Sequence, residues 1–394
     1  MLRFLTAGES HGQCLSVIIE GLPARVPIQK EAIDEQMRRR QGGYGRGGRM
    51  KIEQDTVEIL SGVRHGYTLG SPILLRVENR DWVNWQEQMD SEPVKTPPEP
   101  VTHLRPGHAD LAGALKYGHT DLRNVIERAS SRETAARVAA GSVCRQFLGA
   151  FGVTIHSHVI SIAEVGYPSG SEPDLQLVDE ADSATFWEQV ETSEMRCASA
   201  QVTAQMIERI LAGKRSGDTC GGVFEVVATG VPPGLGSYSQ WDRRLSARIG
   251  EALLSIPSAK GVEIGGGFAA ARLPGSQVHD IVRHDDARGW HHLTNHAGGI
   301  EGGISNGEPI IARVAVKPIP TLAHPLPSAD LATGDNIVAT RYERSDVCVV
   351  PAAGVVGEAM LALTLTDAWL EKFGGDNLDE IHSNYLSFRS TLSR

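Results

Sequence analysis

The sequence predicts a large mixed fold, either α/β or α+β. Candidate strands and helices follow one another along the 394 residues without the strict strand–helix–strand rhythm of a parallel α/β protein. The length allows a large buried core, in one domain or in two to three, and the hydrophobic content of 41% is ordinary. Glycine is frequent, with 43 residues, which indicates many tight turns or backbone that lies against a ligand.

Apolar residues predict the first strands and helices. Residues 15–20 and 72–78 are short apolar segments of the kind expected in strands, and residues 29–40 show the pattern of a helix. Residues 239–256 predict another helix that turns one face to the core. The apolar residues of that face recur every three or four positions and are Trp241, Leu245, Ile249, Leu253 and Ile256.

A further helix is predicted to begin near Ser130. Ser130 and Glu133 have the spacing of a capping box, and the alanine-rich residues 134–151 follow them and end before a glycine. The free N–H groups of the first turn, with Arg128 and Arg132 beside them, could bind a phosphate. Plain capping of the helix explains the same residues equally well.

Residues 355–373 predict a second long helix that ends, like the first, at a Phe-Gly pair. This similarity is a weak indication of two related halves. Two other segments stand out: residues 82–104 are rich in proline, and residues 172–194 carry eight acidic residues and no lysine or arginine. Both are predicted to be solvated loops or edges.

Positive charge is concentrated in one short run. Residues 38–49, with the sequence RRRQGGYGRGGR, contain five arginines and five glycines, although the whole chain has a net charge of −10. Guanidinium groups bind phosphate or carboxylate bidentately, and glycine lets the backbone approach a ligand closely. The run therefore predicts a local anion site with a segment that can close over it as a lid, whereas the acidic chain as a whole argues against a dedicated nucleic-acid binder.

Several classes of site are not expected. The five cysteines are widely spaced without a C-x-x-C pair, and His292 with His296 has no further ligand nearby, so we predict neither disulfides nor a metal site. GYGRGG fits the spacing G-x-G-x-x-G, but it follows a predicted helix instead of a strand, which excludes a Rossmann motif. The N-terminus turns polar too early for a signal peptide, and no apolar run approaches the length of a membrane span, so we expect a cytoplasmic protein.

Two histidines and one acidic cluster are candidates for acid–base chemistry. His11 lies in AGESHG, and His108 lies in RPGHAD, between Arg105 and Asp110. Each occupies a predicted junction between a loop and a regular element, where functional groups are common, although a single histidine is more often structural. Arg344 to Asp346, in the motif ERSD, form a third cluster of this kind.

Seven ordered motifs, which together span almost the whole chain, resemble the chorismate synthase family. They are AGESHG (7–12), RRRQGGYGRGGR (38–49), LRPGHADL (104–111), ERASSRETAARVAAG (127–141), GGIEGGISNG (298–307), KPIPTL (317–322), and ERSD followed by VVPAAG (343–354). So many motifs in this order leave little room for coincidence.

The resemblance implies a more specific fold than composition and periodicity do. It implies an α+β sandwich of the chorismate-synthase type, in which central helices pack between antiparallel sheets, with a weak internal duplication. The expected organisation is a single domain over residues 1–394, with flexible loops near 38–50, 82–104, 165–195 and 318–342. The family also implies a cytoplasmic homotetramer.

The implied activity is that of a lyase. The family converts 5-enolpyruvylshikimate 3-phosphate into chorismate and phosphate, and it requires reduced FMN although the reaction has no net redox change. The hydrogen that is lost is not acidic, so the reduced flavin is expected to supply electron density as phosphate leaves and to take up the hydrogen equivalent. The substrate has a phosphate and two carboxylates, which fits the many arginines.

Matching of motif positions assigns roles to individual residues. His11 would keep the flavin in its working protonation state, His108 would give a proton or hydrogen bond to the leaving phosphate, and Asp346 would relay the proton that flavin N5 takes up. The implied substrate-binding residues are Ser10, Arg40, Arg46, Arg49, Arg105, Arg132 and Arg344. The implied flavin-binding residues are Arg40, Arg46, Arg128, Ala129, Ser130, Pro257, Ser258, Gly302, Lys317, Pro318, Ile319, Pro320, Thr321 and Arg344.

Arg40 and Arg46 also match positions that the family associates with a nicotinamide nucleotide, so NADPH is a possible reductant of the flavin. We assign both arginines first to the substrate. The chain departs from the family pattern at two places: Ala129 replaces a serine, and Pro257-Ser258 replace Asn-Ala or Gln-Ala. Each change removes a polar contact to flavin, so an altered FMN affinity is expected.

Two alternative functions remain open from the sequence. An RNA-binding protein could use an RGG-like run, although such runs are usually repeated and disordered, and this one is single and embedded. A flavin-dependent oxidoreductase that consumes NADPH is the second. The resemblance favours a small-molecule enzyme with no nucleic-acid or membrane partner, served if necessary by a separate flavin reductase.

Overall fold

Two antiparallel sheets with helices between them make up most of the protein. The computed structural model describes residues 1–47, 53–168, 180–286, 288–340 and 345–392. Its strands are β1 (Arg3–Ala7), β2 (Cys14–Glu20), β3 (Ala24–Pro27), β4 (Val57–Ser61), β5 (Val63–Arg64), β6 (Tyr67–Leu69), β7 (Ile73–Glu78), β8 (Thr154–Ile162), β9 (Val165–Gly166), β10 (Gly222–Thr229), β11 (Ala259–Ile264), β12 (Val282–Asp285), β13 (Gly289–His292), β14 (Ile300–Glu301), β15 (Ile304–Ser305), β16 (Ile310–Val316), β17 (Ser328–Ala329) and β18 (Asn336–Ile337). Its helices are α1 (Lys30–Gln41), α2 (Asp110–Tyr117), α3 (Arg123–Ala129), α4 (Thr134–Gly149), α5 (Glu180–Thr192), α6 (Ala200–Arg215), α7 (Leu245–Leu254), α8 (Gly267–Ala270), α9 (Val350–Phe373) and α10 (Leu378–Leu392).

The first sheet has four antiparallel strands in the order β1–β2–β7–β4. Alternate residues of β2 are buried, namely Leu15, Val17 and Ile19, and β7 shows the same alternation. The alternation directs one face of the sheet to the core, where α4 packs against β2 and β7, and leaves the other face exposed, with polar residues and some large apolar ones such as Leu5 and Ile18.

The second sheet has the antiparallel order β11–β16–β10–β8–β9. Helix α9 packs against β8 and β10, with the ring of Phe224 so near Gly357 that an added Cβ would lie 2.6 Å from it. The opposite face carries a smaller apolar cluster that includes Trp187 and Ile311. Burial on both faces explains why five consecutive residues of β10 are buried.

Helices α4 and α9 cross in the centre of the molecule. At the crossing, a Cβ added to Gly141 would lie 2.4 Å from the Cβ of Ala359, so only glycine allows the two helices to approach this closely. Helix α1 packs against both, and α7 packs against α9. The central helices therefore separate the two antiparallel sheets, which confirms the predicted α+β sandwich.

The two halves of the chain share one topology. In the first half β1 and β2 are followed by α1, β4, β7 and α4; in the second half β8 and β10 are followed by α7, β11, β16 and α9. When these four strands of each sheet are counted in chain order, the fourth strand, β7 or β16, lies between the second, β2 or β10, and the third, β4 or β11. The two helices followed by Phe-Gly, α4 and α9, are the equivalent last helices, in agreement with the weak internal duplication.

Two helix predictions need correction. Residues 239–256 do not form one helix: Trp241–Arg243 are a 3-10 turn, Arg244 is extended, and α7 begins at Leu245. Trp241 is 77% exposed, so it is not part of the buried face. The second long helix begins at Val350 and not at residue 355, because its first turn accommodates Pro351, a residue that fits only the start of a helix.

The capping box near Ser130 is also different from the prediction. The Ser130 hydroxyl accepts a hydrogen bond from the backbone N–H of Arg132 and caps a 3-10 turn, Ser131–Glu133, ahead of α4. The carboxylate of Glu133 does not return to Ser130; it binds Arg137 and the hydroxyl of Thr6. The tertiary contact to Thr6 thus replaces the reciprocal bond of a capping box.

The predicted loops contain more regular structure than expected. Helix α1 extends to Gln41, inside the loop predicted near 38–50, and α5 lies inside residues 165–195, where its Trp187 and Val190 are buried. Residues 82–104 start within the 3-10 helix Arg80–Asn84, and residues 318–342 include the small β17–β18 pair.

Helix α9 is long and apolar enough to cross a membrane by length and composition. However, 83% of its most apolar window is buried inside the protein, where α9 packs against the second sheet and α4. This burial identifies α9 as a core helix.

Candidate active site

A cavity of about 810 Å³ is lined by equivalent connections of the two halves. The first half contributes the β1–β2 turn, the segment after α1, and residues between β7 and α4. The second half contributes the turn before β11 and the segment between β16 and α9. Six cations face this cavity, and they are Arg40, Arg46, Arg105, Arg123, Arg132 and Lys317. The volume is within the range of ligand sites, and the charge suits a strongly anionic ligand.

His11 is fixed at the cavity wall by Glu127 of α3. Its Nδ1 lies 2.9 and 3.0 Å from the two carboxylate oxygens, and its backbone N–H donates to Oε2 at 2.8 Å. Burial by itself raises the pKa of Glu127, but the hydrogen bonds and charge of His11 outweigh it, so the pKa is lowered overall. Because an ionised carboxylate can only accept, Nδ1 carries the proton.

His108 has a similar carboxylate partner. Its Nδ1 is 2.5 Å from Oδ1 of Asp110, the fully buried first residue of α2, which also accepts from Nε and Nη2 of Arg105 at 2.9 and 3.1 Å. Burial alone would raise the pKa of Asp110, and the bonds from His108 and Arg105 lower it to about 2. Asp110 is therefore a carboxylate that orients both cavity residues.

Arg40 and Arg132 share a buried carboxylate. Asp55 lies 2.8 Å from Nη2 of Arg40 and 2.6 Å from Nη1 of Arg132, and Glu53 is 3.7 Å from Arg132. Burial, together with the charges of Arg132 and Arg46, lowers the pKa of Arg40 to about 10, although the charge of Asp55 opposes this shift. These two guanidiniums thus face the cavity in orientations set by a carboxylate behind them.

The described part of the glycine-rich run, which reaches Gly47, packs on the start of α9. Gly45 accepts hydrogen bonds from the backbone N–H groups of Val347 and Cys348, and its φ is +88°. Asp346 accepts from the N–H of Gly47 at 2.5 Å and lies 3.3 Å from Arg46. These contacts bring the run and the predicted catalytic Asp346 to the same wall of the cavity.

Residues 317–321 form the opposite wall. The Lys317 ammonium donates to the carbonyl oxygen of Gly107 at 3.0 Å, and no carboxylate within the described residues pairs with it. Burial, and secondarily the charge of Lys260, lower the pKa of Lys317. Ile319, Pro320 and Thr321 also line the cavity, so this wall offers one cation and an apolar surface.

Most of the residues predicted from the sequence lie at this cavity. Its lining includes His11, His108 and Asp346; the predicted ligand-binding residues that also line it are Ser10, Arg40, Arg46, Arg105, Ala129, Ser130, Arg132, Pro257, Ser258, Lys317, Ile319, Pro320 and Thr321. Arg49 and Arg344 lie outside the described residues.

Three predicted flavin residues are not part of the lining. Arg128 turns toward the first sheet, where it donates to the carbonyl oxygens of Thr6 and Gly8. Gly302 is in the β14–β15 hairpin, and Pro318 lies between two lining residues without facing the cavity. In this chain, the geometry does not favour direct contact between these three residues and a ligand in the cavity.

Sequence reasoning missed one side of the cavity. Asp81, Asn84, Trp85 and Arg123 line it, and the ring of Trp85 stacks on His11 with centroids 4.0 Å apart. Residues 79–85, NRDWVNW, were a visible signal, because two tryptophans lie among polar residues there, next to a proline-rich segment. Glu127 gave no such signal, since its partner His11 is 116 positions away.

The lining fits a flavin and a phosphorylated acid better than a metal. Cations cover part of the wall, and Ile126, Pro257, Ile319, Pro320 and Val349 supply an apolar part against which a planar ring could lie. Within the described ranges no group of three or more His, Cys, Asp or Glu side chains could bind a metal ion.

Comparison with known proteins gives one consistent family. The family model described as chorismate synthase matches residues 2–370. The chorismate synthases of Symbiobacterium thermophilum and Aquifex aeolicus are each 53% identical to the chain; the alignments cover 100% of both chains for the first, and 98% of this chain and 97% of the other for the second. A crystal structure of chorismate synthase is 44% identical, with a TM-score of 0.81, over 100% of this chain and 98% of that one.

Proposed function

Because the chain belongs to the chorismate synthase family, we propose that the cavity described above is the place of the family's reaction and that reduced FMN is its cofactor. The chain is a carbon–oxygen lyase acting on a phosphate ester: it converts 5-enolpyruvylshikimate 3-phosphate into chorismate and phosphate in the shikimate pathway. The observation that carries the proposal is the convergence of six cations, two histidines and Asp346 on one cavity.

The cations recognise the three anionic groups of the substrate. Arg40, Arg105 and Arg132 present guanidiniums in fixed orientations, because each is bonded to a buried carboxylate. Lys317 has no such carboxylate among the described residues, so its charge is the least compensated one on the lining. Oriented charges of this kind cost little reorganisation when anionic charge develops, which favours departure of phosphate.

His108 assists the leaving phosphate. Its Nδ1–H is engaged by Asp110, and Arg105 lies beside the ring, with Nη2 3.0 Å from Nδ1. A protonated imidazole flanked by a guanidinium can donate a hydrogen bond or a proton to a phosphate oxygen. We assign phosphate to this part of the cavity.

Asp346 would relay the proton that flavin N5 takes up. Its carboxylate is oriented by the N–H of Gly47 and by Arg46 and belongs to the cavity lining. His11 lies on the β1–β2 turn, and its Nε2, the ring nitrogen that does not contact Glu127, would face the flavin. Both roles require only short-range proton transfer by positioned side chains.

Reduced FMN, when bound, supplies electron density to the reacting ring system and recovers it at the end of the reaction. Ala129, Ser130 and Ser131, at the junction of α3 and α4, would face it, with Pro257, Ser258 and residues 319–321 on the apolar side. Arg40 and Arg46 are assigned first to the substrate. Reduction of the flavin by NADPH in the same cavity is the second possibility, with a separate flavin reductase as its alternative.

We also propose a cytoplasmic homotetramer. Large apolar side chains are exposed on the outer side of the first sheet, including Leu5 at 71%, Ile18 at 43% and Leu60 at 53%. Such a patch is typical of a surface that another protein covers. Light scattering of the purified chain distinguishes a tetramer from a monomer.

The function is tested by anaerobic incubation of the purified chain with 5-enolpyruvylshikimate 3-phosphate and chemically reduced FMN. Phosphate and chorismate are expected together, and neither with oxidised FMN or without FMN. Absence of both products with reduced FMN contradicts the proposal. Product formation from the substrate with NADPH and oxidised FMN, without a reductase, identifies a chain that reduces its own flavin. If no product forms under these conditions, an external reductase is needed.

A further inference from the structure

Glu127 makes three contacts with the turn that carries His11. Its backbone carbonyl oxygen accepts from the N–H of Ser10 at 2.9 Å, and its carboxylate accepts from the backbone N–H and from Nδ1 of His11. The side chain of Glu127 is only 1% exposed, and Glu127 does not belong to the cavity lining. Its carboxylate therefore affects the cavity through the residues that it holds, and His11 is the one that it contacts most closely.

A second set of contacts closes around the same histidine. Trp85 stacks on His11, with an angle of 28° between the rings, and the guanidinium of Arg123 lies 5.1 Å from the Trp85 ring centroid. Nη1 of Arg123 in turn donates to Oε1 of Glu127 at 3.2 Å. Each of the four side chains is thus positioned by two of the others, and α3 supplies both ends of the arrangement.

We propose that Glu127 is a positioning residue that keeps the proton of His11 on Nδ1 and thereby leaves Nε2 as the ring nitrogen that acts in the cavity. A carboxylate that accepts from Nδ1 determines which nitrogen carries the proton and how the ring is oriented, a role known for carboxylates behind functional histidines in general. The inference rests on the proposed function, since it takes His11 to be an active-site group.

Glu127→Gln is the most informative substitution, because the shape is kept. The glutamine has an acceptor end and a donor end, so its NH2 must face either the backbone N–H of His11 or the guanidinium of Arg123, both of which are donors. We expect kcat to fall by about 10–100-fold, with the KM for substrate and the dissociation constant of FMN within about threefold of the wild type. Glu127→Asp keeps the charge and is expected to recover part of the lost kcat.

Glu225→Gln is the matched control. Glu225 is a buried carboxylate that is also bonded to one histidine, His158, and one arginine, Arg313, but it does not line the cavity. Wild-type kcat is expected for this variant. An equal loss of kcat in the two glutamine variants, or equal losses in Glu127→Gln and Glu127→Asp, overturns the inference.

Two further measurements separate positioning from mere structure. In a His11→Ala background, Glu127→Gln is expected to cause little additional loss of kcat if Glu127 affects turnover through His11 and not through Arg123; fully additive losses contradict the inference. In solid-state ¹⁵N spectra of histidine-labelled protein, the His11 signal, identified by its loss in His11→Asn, should show one Nδ1–H form in the wild type and an altered form in Glu127→Gln. An unchanged His11 signal rejects the inference, whereas a wild type that releases no phosphate rejects the proposed function.

Discussion

Buried carboxylates stand behind most of the cations that line the cavity. Asp55 contacts Arg40 and Arg132, and Asp110 contacts Arg105, each at hydrogen-bond distance. Buried charges require such partners, and the partners also fix the direction of each guanidinium. The cavity is thus oriented by residues that do not themselves need to contact the ligand.

The stability contributed by Asp110 should depend on pH. Its pKa is lowered to about 2 in the folded protein, so its contribution is complete above the pKa of the unfolded chain and disappears as the pH falls through the folded pKa. We expect Asp110→Asn to reduce the free energy of unfolding by ~2 kcal/mol at neutral pH and by roughly half as much near pH 3. Urea unfolding at the two pH values measures this. A difference between wild type and variant that does not change with pH would show that the Asp110 charge is not stabilised by folding.

Asp346→Asn should slow turnover without loss of the fold. The asparagine can still accept from the N–H of Gly47, but it cannot accept a proton, so kcat with reduced FMN is expected to fall by about 100-fold or more. The control is Asp335→Asn, an exposed residue in the β17–β18 turn away from the cavity. Wild-type turnover in Asp346→Asn would remove Asp346 from the mechanism.

Residue types alone predicted part of this site. His11 and His108 stood out because each lies in a short glycine-containing motif beside a predicted element, Asp346 stood out in the ERSD cluster, and the family resemblance gave each of the three a role. Glu127 and Asp55 could not be predicted as partners, because pairing between buried charges depends on contacts between distant segments. Arg128 shows the converse: its motif position suggested flavin, but it is bonded to the backbone of β1 and the turn after it.

At the level of elements, the glycine-rich run follows α1 and packs closely against the start of α9. A Cβ on Gly45 would lie 3.1 Å from the Cβ of Cys348, and one on Gly43 would lie 2.8 Å from Pro351. The glycines are therefore needed for close packing here, in addition to any approach to a ligand. The sequence could indicate their number but not which neighbour they meet.

Gly45→Ala should separate the run from α9. The φ of +88° and the contact with Cys348 both oppose a side chain, so we expect a loss of about 1–2 kcal/mol in unfolding free energy together with reduced kcat/KM. Gly374→Ala is the control: its φ is +59°, but nothing lies within 4 Å and it follows the far end of α9. The control should lose stability and keep kcat/KM. Equal kcat/KM in both variants would show that the position of the run is not important for turnover.

Helix boundaries were predicted less well than helix existence. Trp241 has the spacing of the apolar face of α7. However, the extended residue Arg244 lies between Trp241 and the first residue of the helix, so Trp241 is not part of α7. An apolar residue at the right spacing is not sufficient when the local backbone leaves the helix. The core positions Leu245, Ile249 and Leu253 were predicted correctly and are fully buried.

At the scale of the whole molecule, the duplicated topology explains where the cavity lies. The connection after α1 and the connection after α7 reach it from equivalent positions, as do the segments before α4 and before α9. Periodicity in the sequence gave only the repeated Phe-Gly ending of α4 and α9. The shared strand order could not be predicted, because strand pairing over long separations leaves little trace in one sequence.

Gly141→Ala tests the crossing of the two central helices. Overlap with Ala359 should force α4 and α9 apart and lower the free energy of unfolding by about 1–3 kcal/mol. Gly250→Ala, in the middle of α7, has nothing within 4 Å, so alanine there should be stabilising by about 0.5–1 kcal/mol. Thermal and urea unfolding of both variants give the comparison. Similar effects at the two positions would contradict the close crossing.

The central claim is that this cavity carries out an elimination in which the flavin is a catalyst and is not consumed. The most direct measurement is an anaerobic reaction with a large excess of 5-enolpyruvylshikimate 3-phosphate over reduced FMN, in which phosphate, chorismate and the absorbance of oxidised flavin are followed together. We expect phosphate and chorismate in equal amounts that far exceed the flavin, which stays reduced. Product limited to the amount of flavin, with the flavin oxidised, would contradict the account.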